Sequence, residues 1–108
     1  MENSLLLNLL TFYEEDPEDP FNIYALALEY LKSDHQKAGH FFDLLLTKHT
    51  DYLPTYYHAG SFYTLLEEFE KAEKVYIKGI DLAIKQGNTK THQELTRAYR
   101  GFLDEIDD

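Results

Sequence analysis

The chain is 108 residues long, which is the size of one domain with one hydrophobic core. Apolar residues make up 44% of it and aromatic residues 15%, so we expect a packed interior and not a disordered chain. The formal charge is −10, and residues 1–20 and 104–108 carry acids without a single base. Because no basic stripe is available to neutralise phosphates, neither nucleic acid nor an anionic membrane surface is expected as a partner.

The chain contains no cysteine, which excludes disulfides, thiolate metal sites and cysteine nucleophiles and favours a cytoplasmic location. Its first residues lack the positive start and the small-residue cleavage site of a secretory signal. No apolar run approaches the roughly 20 residues that a membrane span requires. We therefore expect a soluble protein.

Helical periodicity runs through the first half of the chain, where apolar residues recur at spacings of three and four. An acidic turn interrupts the pattern before Pro20. Since Asp19 can cap exposed amides and proline fits a first turn, a second helix is predicted to begin there. The inward residues predicted for the first three helices are Leu5, Leu6, Leu9, Leu10 and Tyr13, then Tyr24, Ala25, Leu28 and Leu31, then Ala38, Phe41, Phe42 and Leu45.

The second half of the chain predicts three more helices. Asp51 with Pro54 opens the fourth, Gly87 with Asn88 ends the fifth, and Thr91 with Glu94 forms a capping box for the last. Their predicted inward residues are Tyr56, Ala59, Phe62, Tyr63 and Leu66, then Phe69, Ala72, Val75, Tyr76, Ile80 and Ala83, then Leu95, Ala98, Tyr99, Phe102 and Ile106.

A shift of about 34 residues aligns helices two and three with helices four and five. The aligned pairs are Ala25 with Ala59, Leu28 with Phe62, Leu31 with Leu65, Ala38 with Ala72, and Phe42 with Tyr76. This period, with one helix hairpin per unit, resembles the tetratricopeptide repeat family. The positions of the second copy that match the family motif are Tyr56, Ala59, Gly60, Tyr63, Ala72 and Tyr76.

The first copy departs from the motif at Asn22, Leu26 and Glu29, and Thr50 and Ile84 replace the closing prolines. The resemblance implies an all-α fold, in which antiparallel helix pairs stack as a short right-handed superhelix between capping helices. We expect a single domain over 1–108, with an N-terminal capping helix at 1–16, repeats at 20–49 and 52–86, and a C-terminal capping helix at 91–107.

In this family the first helix of each pair lines a concave groove that holds peptides or partner helices. Transferred by the repeat register, the resemblance implies a groove lined by Ile23, Ala27, Tyr30, Leu31, Tyr57, Ser61, Thr64 and Leu65. Tyr30 and Tyr57 are the expected anchors, because tyrosine buries a large area at low entropic cost. The alternative is that the capping helices or a second subunit already cover this lining. The basic set with which some members grip a terminal carboxylate is missing.

The leading hypothesis is therefore a protein-interaction module, an adaptor or scaffold whose partner is a protein or peptide. The alternative is a homodimer formed through the same surface. A small enzyme is the weakest hypothesis, because the sequence contains no nucleophile elbow or phosphate-binding loop. No cofactor or metal is expected, since no two of the five histidines have the i, i+4 spacing. The acidic run from Glu14 to Asp19 also lacks the pattern of a calcium loop.

Overall fold

A computed structural model describes residues 3–107, so residues 1, 2 and 108 of the predicted domain and capping segments lie outside the described residues. Within 3–107 the chain forms six helices and no strand, which confirms the predicted all-α fold class. The helices are α1 (Ser4–Glu15), α2 (Pro20–Tyr30), α3 (His35–Lys48), α4 (Pro54–Leu65), α5 (Phe69–Lys85) and α6 (Thr89–Ile106). The predicted repeats thus enclose the pairs α2–α3 and α4–α5.

Side-chain caps fix several helix starts. The side chain of Asp19 accepts a hydrogen bond of 2.9 Å from a first-turn amide of α2, and Pro20 is the first helical residue, as predicted. The last helix differs from the prediction. Asn88 is its N-cap, and the side-chain oxygen of Asn88 accepts a hydrogen bond of 3.0 Å from the amide of Thr91. Helix α6 therefore begins two residues before the predicted start, and Thr91 lies inside its first turn. Asn88 therefore starts the sixth helix as well as ending the fifth.

The described helices form two compact units, one up to Tyr52 and one from Leu53 onward, while the single domain over 1–108 stays a prediction. In the first unit α2 contacts both α1 and α3. It buries a different face from the predicted one, because it has neighbours on two sides. Its predicted inward residues Tyr24, Ala25, Leu28 and Leu31 are half-buried. The residues that it does bury are Ile23, Leu26, Ala27, Glu29 and Tyr30.

The third helix buries all four residues predicted for it, Ala38, Phe41, Phe42 and Leu45. Phe41 lies between two tyrosines. Its ring stacks on Tyr30 with a centroid separation of 5.9 Å, and Tyr13 of α1 meets its edge at 5.5 Å. The ammonium group of Lys37 lies 5.4 Å from the Tyr30 ring centroid. These aromatic contacts join the three helices of the first unit.

The first helix lies on the surface of its unit and contains no fully buried residue. Leu5, Leu7 and Phe12 are 51%, 51% and 52% exposed. A polar contact attaches its N-terminal end to α2. The Asn3 side chain caps α1 with its oxygen, and its Nδ2 donates to Glu29 Oε2 at 2.9 Å. The Leu-rich helix therefore keeps a substantial apolar surface outside the core.

The second unit is built on a close crossing of α4 and α5, in which two glycines face two tyrosines. An ideal Cβ on Gly60 would lie 2.5 Å from Tyr76 Cε1, and one on Gly79 would lie 2.5 Å from Tyr56 Cβ. Glycine is therefore required at both positions, and Gly60 is one of the residues that match the family motif. Three residues predicted to face inward in this unit are instead exposed, and they all lie at helix ends: Leu66, Phe69 and Ile106.

Within residues 3–107 no helix combines the length and the apolar composition needed to cross a membrane.

Candidate protein-binding groove

The second unit contains an open groove of about 400 Å³ between α4, α5 and α6. It is called the α4–α6 groove below, and its lining residues are Ser61, Thr64, Leu65, Tyr76, Ala98, Gly101, Phe102 and Glu105. Helix α4 contacts both α5 and α6. The turn before α6 contains Gly87 at φ 68°, a left-handed conformation that glycine adopts without strain. This turn allows α6 to fold back and form the far wall.

Tyr76 of α5 forms the floor of the groove. Its ring is held against Gly60 and lies 5.7 Å from Phe102, centroid to centroid. Burial raises the pKa of the Tyr76 phenol above its ordinary value of 10.0, and the nearby Tyr57 and Glu105 raise it further, while a hydrogen bond with Thr64 acts in the opposite direction. The floor therefore presents a neutral hydroxyl group in an aromatic setting.

The α4 wall carries no charged side chain. Between Pro54 and Leu65 the helix contains no Asp, Glu, Lys or Arg, although part of its surface faces solvent. Leu65 is 66% exposed, and Tyr57 on the same helix is 44% exposed. The hydroxyl of Thr64 is already hydrogen-bonded, because Thr64 Oγ1 donates to the carbonyl of Gly60 at 2.8 Å. An uncharged exposed helix face is typical of a surface that another chain covers.

The α6 wall is open at its middle. A Cβ placed on Gly101 would meet no other heavy atom within 4 Å, so this glycine leaves room in the groove. Leu95 and Phe102 of the same helix are buried and anchor it to the unit. The outer face of α6 is polar, with Gln93, Arg97 and Arg100 exposed to solvent. The helix therefore combines an apolar inner side with the charged outer side predicted for a cap.

The structure brings together three of the eight predicted groove residues. Ser61, Thr64 and Leu65 line the α4–α6 groove. Tyr57 is not among the lining residues, although it lies near enough to Tyr76 to influence its pKa. The four from the first repeat lie in the other unit, where Leu31 is half-buried and the rest are buried: Ile23, Ala27 and Tyr30. Because α2 packs against both α1 and α3, these three have almost no surface to offer a partner. The candidate site described here does not include them.

Sequence reasoning missed the contribution of α5 and α6. Tyr76 and Phe102 were assigned to the core, and α6 was assigned only to covering the second repeat. The small residues Ala98 and Gly101, three apart on one helix, were the signal that could have indicated an open groove wall. No group of His, Cys, Asp or Glu in the described part of the chain has the arrangement of a metal site.

No family model matches this chain, and no curated protein does either. A solution structure of a tetratricopeptide repeat domain protein from Salinibacter ruber is 41% identical, with a TM-score of 0.75, and the match covers 81% of this chain and 89% of that one. A crystal structure of a tetratricopeptide repeat domain protein from the same organism is 38% identical, with a TM-score of 0.74, over 78% and 96%.

Both neighbours have the all-helical fold with packed adjacent helices that the 34-residue period indicates. Their identity and coverage are high enough to assign the family as well as the fold. The chain belongs to the tetratricopeptide repeat family.

Proposed function

We propose that the protein is an interaction module that binds a peptide or a partner helix in the α4–α6 groove. Folds of this family serve in general as non-enzymatic modules for binding other proteins. The observation that carries the proposal is the uncharged face of α4, which leaves Leu65 66% exposed beside an open groove. Covering such a surface with an apolar side chain of a partner removes it from water and stabilises the complex. No cofactor or metal takes part.

Site-specific crosslinking tests this function. A photoreactive amino acid is placed at Ser61, inside the groove, and separately at Gln93, on the outer face of α6, which serves as the matched control. We expect a protein partner in the source cell to crosslink to position 61 and not to position 93. Crosslinking from position 93 alone would place the partner surface elsewhere.

Blocking the groove completes the test. In Gly101→Leu the new side chain enters open space and fills the groove, and we expect the crosslink from position 61 to disappear. Gly101→Ala is the control, because it raises helix propensity as Gly101→Leu does but leaves most of the groove volume free. If both variants crosslink as the wild type does, the groove is not the binding site.

Self-association is the second candidate, and the first helix supports it. Leu5 and Phe12 of α1 are each about half exposed and lie two helical turns apart on one face, which is more apolar surface than a solvated helix needs. A homodimer through this face would appear in sedimentation as a mass that rises with concentration. Replacing Leu5 and Phe12 together by Ser should then restore a monomer, whereas Asn8→Ser on the same helix should not. A wild-type mass that stays monomeric at all concentrations excludes this candidate.

We also propose a cytoplasmic location, in keeping with a chain that contains no cysteine.

A further inference from the structure

The α4–α6 groove has one strongly negative end. Successive helices joined by short connections are antiparallel, so α4 and α6 run in the same direction and their C-termini lie toward the same end. The C-terminus of a helix carries a partial negative charge that a basic residue in the last turn would offset. Neither helix has a basic residue in its last turn. The acids Asp104, Glu105 and Asp107 follow at the end of α6 instead.

Glu105 is the one formally charged side chain among the residues that line the groove. Within residues 3–107 no basic side chain forms an ion pair with it. Its charge reaches the groove floor, since it is one of the groups that disfavour ionisation of the Tyr76 phenol. The basic residue near the end of α4 is already engaged, because Lys71 lies over the ring of Tyr63 at 4.2 Å. Within the described part of the chain, the Glu105 carboxylate therefore has no ion-pair partner that offsets its charge.

The rest of the groove is uncharged and includes apolar surface, so an occupant has to satisfy two kinds of surface at once. Leu65, Phe102 and the space above Gly101 suit an apolar side chain. A lysine or arginine about one helical turn further along the occupant would lie near Glu105 and the two helix C-termini. A second copy of this chain fits poorly, because it would bring another formal charge of −10 to the same place.

Building on the proposed function, we infer that the occupant is a basic amphipathic segment of another protein. It places a large apolar side chain between Leu65 and Gly101 and a Lys or Arg side chain against Glu105. Interactions with exposed charges are screened by salt, so association should weaken as ionic strength rises. Opposite charge should also speed the encounter more than it slows dissociation.

Two synthetic helical peptides provide the probes. They share the same apolar residues, and every charged position is Lys in one and Glu in the other. We expect the lysine peptide to bind the protein and the glutamate peptide to bind at least about tenfold more weakly. Added sodium chloride should lower the affinity for the lysine peptide more than that for the glutamate peptide. Fluorescence anisotropy measures both affinities. Equal affinities, or a preference for the glutamate peptide, would overturn the inference.

An acidic protein attracts a cationic peptide non-specifically, so the site needs its own controls. Glu105→Lys should lower the affinity for the lysine peptide by about tenfold and raise the affinity for the glutamate peptide. Asp81→Lys makes the same charge change at an exposed position of α5 outside the groove and should have a much smaller effect. Gly101→Leu should abolish specific binding of the lysine peptide.

If Asp81→Lys lowers the affinity for the lysine peptide as much as Glu105→Lys does, the attraction is non-specific and the inference is wrong. The same holds if Gly101→Leu leaves binding intact, or if the lysine peptide does not bind the wild-type protein. None of these outcomes removes a crosslink from Ser61, so the groove could still be a binding site for a partner of different charge. Absence of that crosslink in the protein with an unchanged groove would instead contradict the proposed function.

Discussion

A single methyl group at Gly60 should destabilise the protein. In Gly60→Ala the new Cβ would lie 2.5, 2.6 and 2.8 Å from three ring carbons of Tyr76, whereas carbon atoms in contact prefer about 3.5–4.0 Å. The ring has little room to move away, because Tyr99 and Phe102 lie 6.1 and 5.7 Å from it, centroid to centroid. Relieving the clash therefore requires α4 and α5 to separate.

The expected magnitude is the difference between two effects. Overpacking of this kind costs about 1–3 kcal/mol, and three contacts this close with a ring that is itself packed on its other side belong near the upper limit. Replacing glycine by alanine inside a helix contributes about 1 kcal/mol in the opposite direction. We therefore expect the free energy of unfolding to fall by about 2 kcal/mol and the melting temperature by about 10 °C.

Gly101→Ala is the matched control, since it makes the same chemical change inside a helix of the same unit. Its Cβ meets nothing within 4 Å, so only the gain in helix propensity remains, and stability should rise by up to about 1 kcal/mol. Urea and thermal unfolding followed by circular dichroism measure both variants. The penalty at Gly60 should shrink in a Tyr76→Leu background if the ring is its cause. If Gly60→Ala and Gly101→Ala change the free energy of unfolding in the same direction, the close crossing is refuted.

Three further predictions concern other positions. Thr55→Val should raise the free energy of unfolding by about 1 kcal/mol in urea titrations, because the buried Thr55 hydroxyl has no hydrogen-bond partner among the described residues. The hydrogen bond from Asn3, followed by that from a neighbouring lysine, lowers the pKa of the Glu29 carboxyl. The folded state thus favours the ionised carboxylate of Glu29. The contribution of this group to the free energy of unfolding is complete above the unfolded pKa of about 4.3, and it is lost as the pH falls through the lowered pKa of the folded state. The stability difference between wild type and Glu29→Gln, measured by unfolding at each pH, should therefore shrink in acid. Tyr30→Ala should cost about 3 kcal/mol in thermal melts, because the ring is buried against Phe41, and an unchanged melt would contradict that stacking.

Local features of the fold could be predicted from particular residues. Asp19 and Pro20 mark the start of α2 because a cap and a fixed proline φ act within one turn. The four buried residues of α3 were predicted correctly, since a helix with one inward face shows its periodicity directly in the sequence. The predicted start of α6 is two residues late, because Asn88, which the sequence predicts as a helix end, also caps the next helix.

The candidate site was predicted only in part. The repeat register placed Ser61, Thr64 and Leu65 on one surface, and the structure finds them there. The same register did not show that Ile23 and Tyr30 are buried. A repeat register identifies equivalent positions in two helices, but it does not say which other helices pack against each of them. Helix α2 packs against α1 and α3, whereas α4 packs against α5 and α6. Equivalent residues in two repeats can therefore differ in exposure.

The sequence by itself determined that the chain is helical, where most helices begin and end, and that one hairpin recurs after 34 residues. Each of these properties depends on hydrogen bonds and side-chain spacing within a few turns of the chain. Only the tertiary structure decided that Tyr76, Gly101 and Glu105 share one groove and that Asn3 joins Glu29. Tyr76 is far in sequence from Gly101 and Glu105, as Asn3 is from Glu29, and the meeting of such residues depends on how closely two helices approach. That distance is set by packing, as at Gly60, and not by the periodicity of either helix.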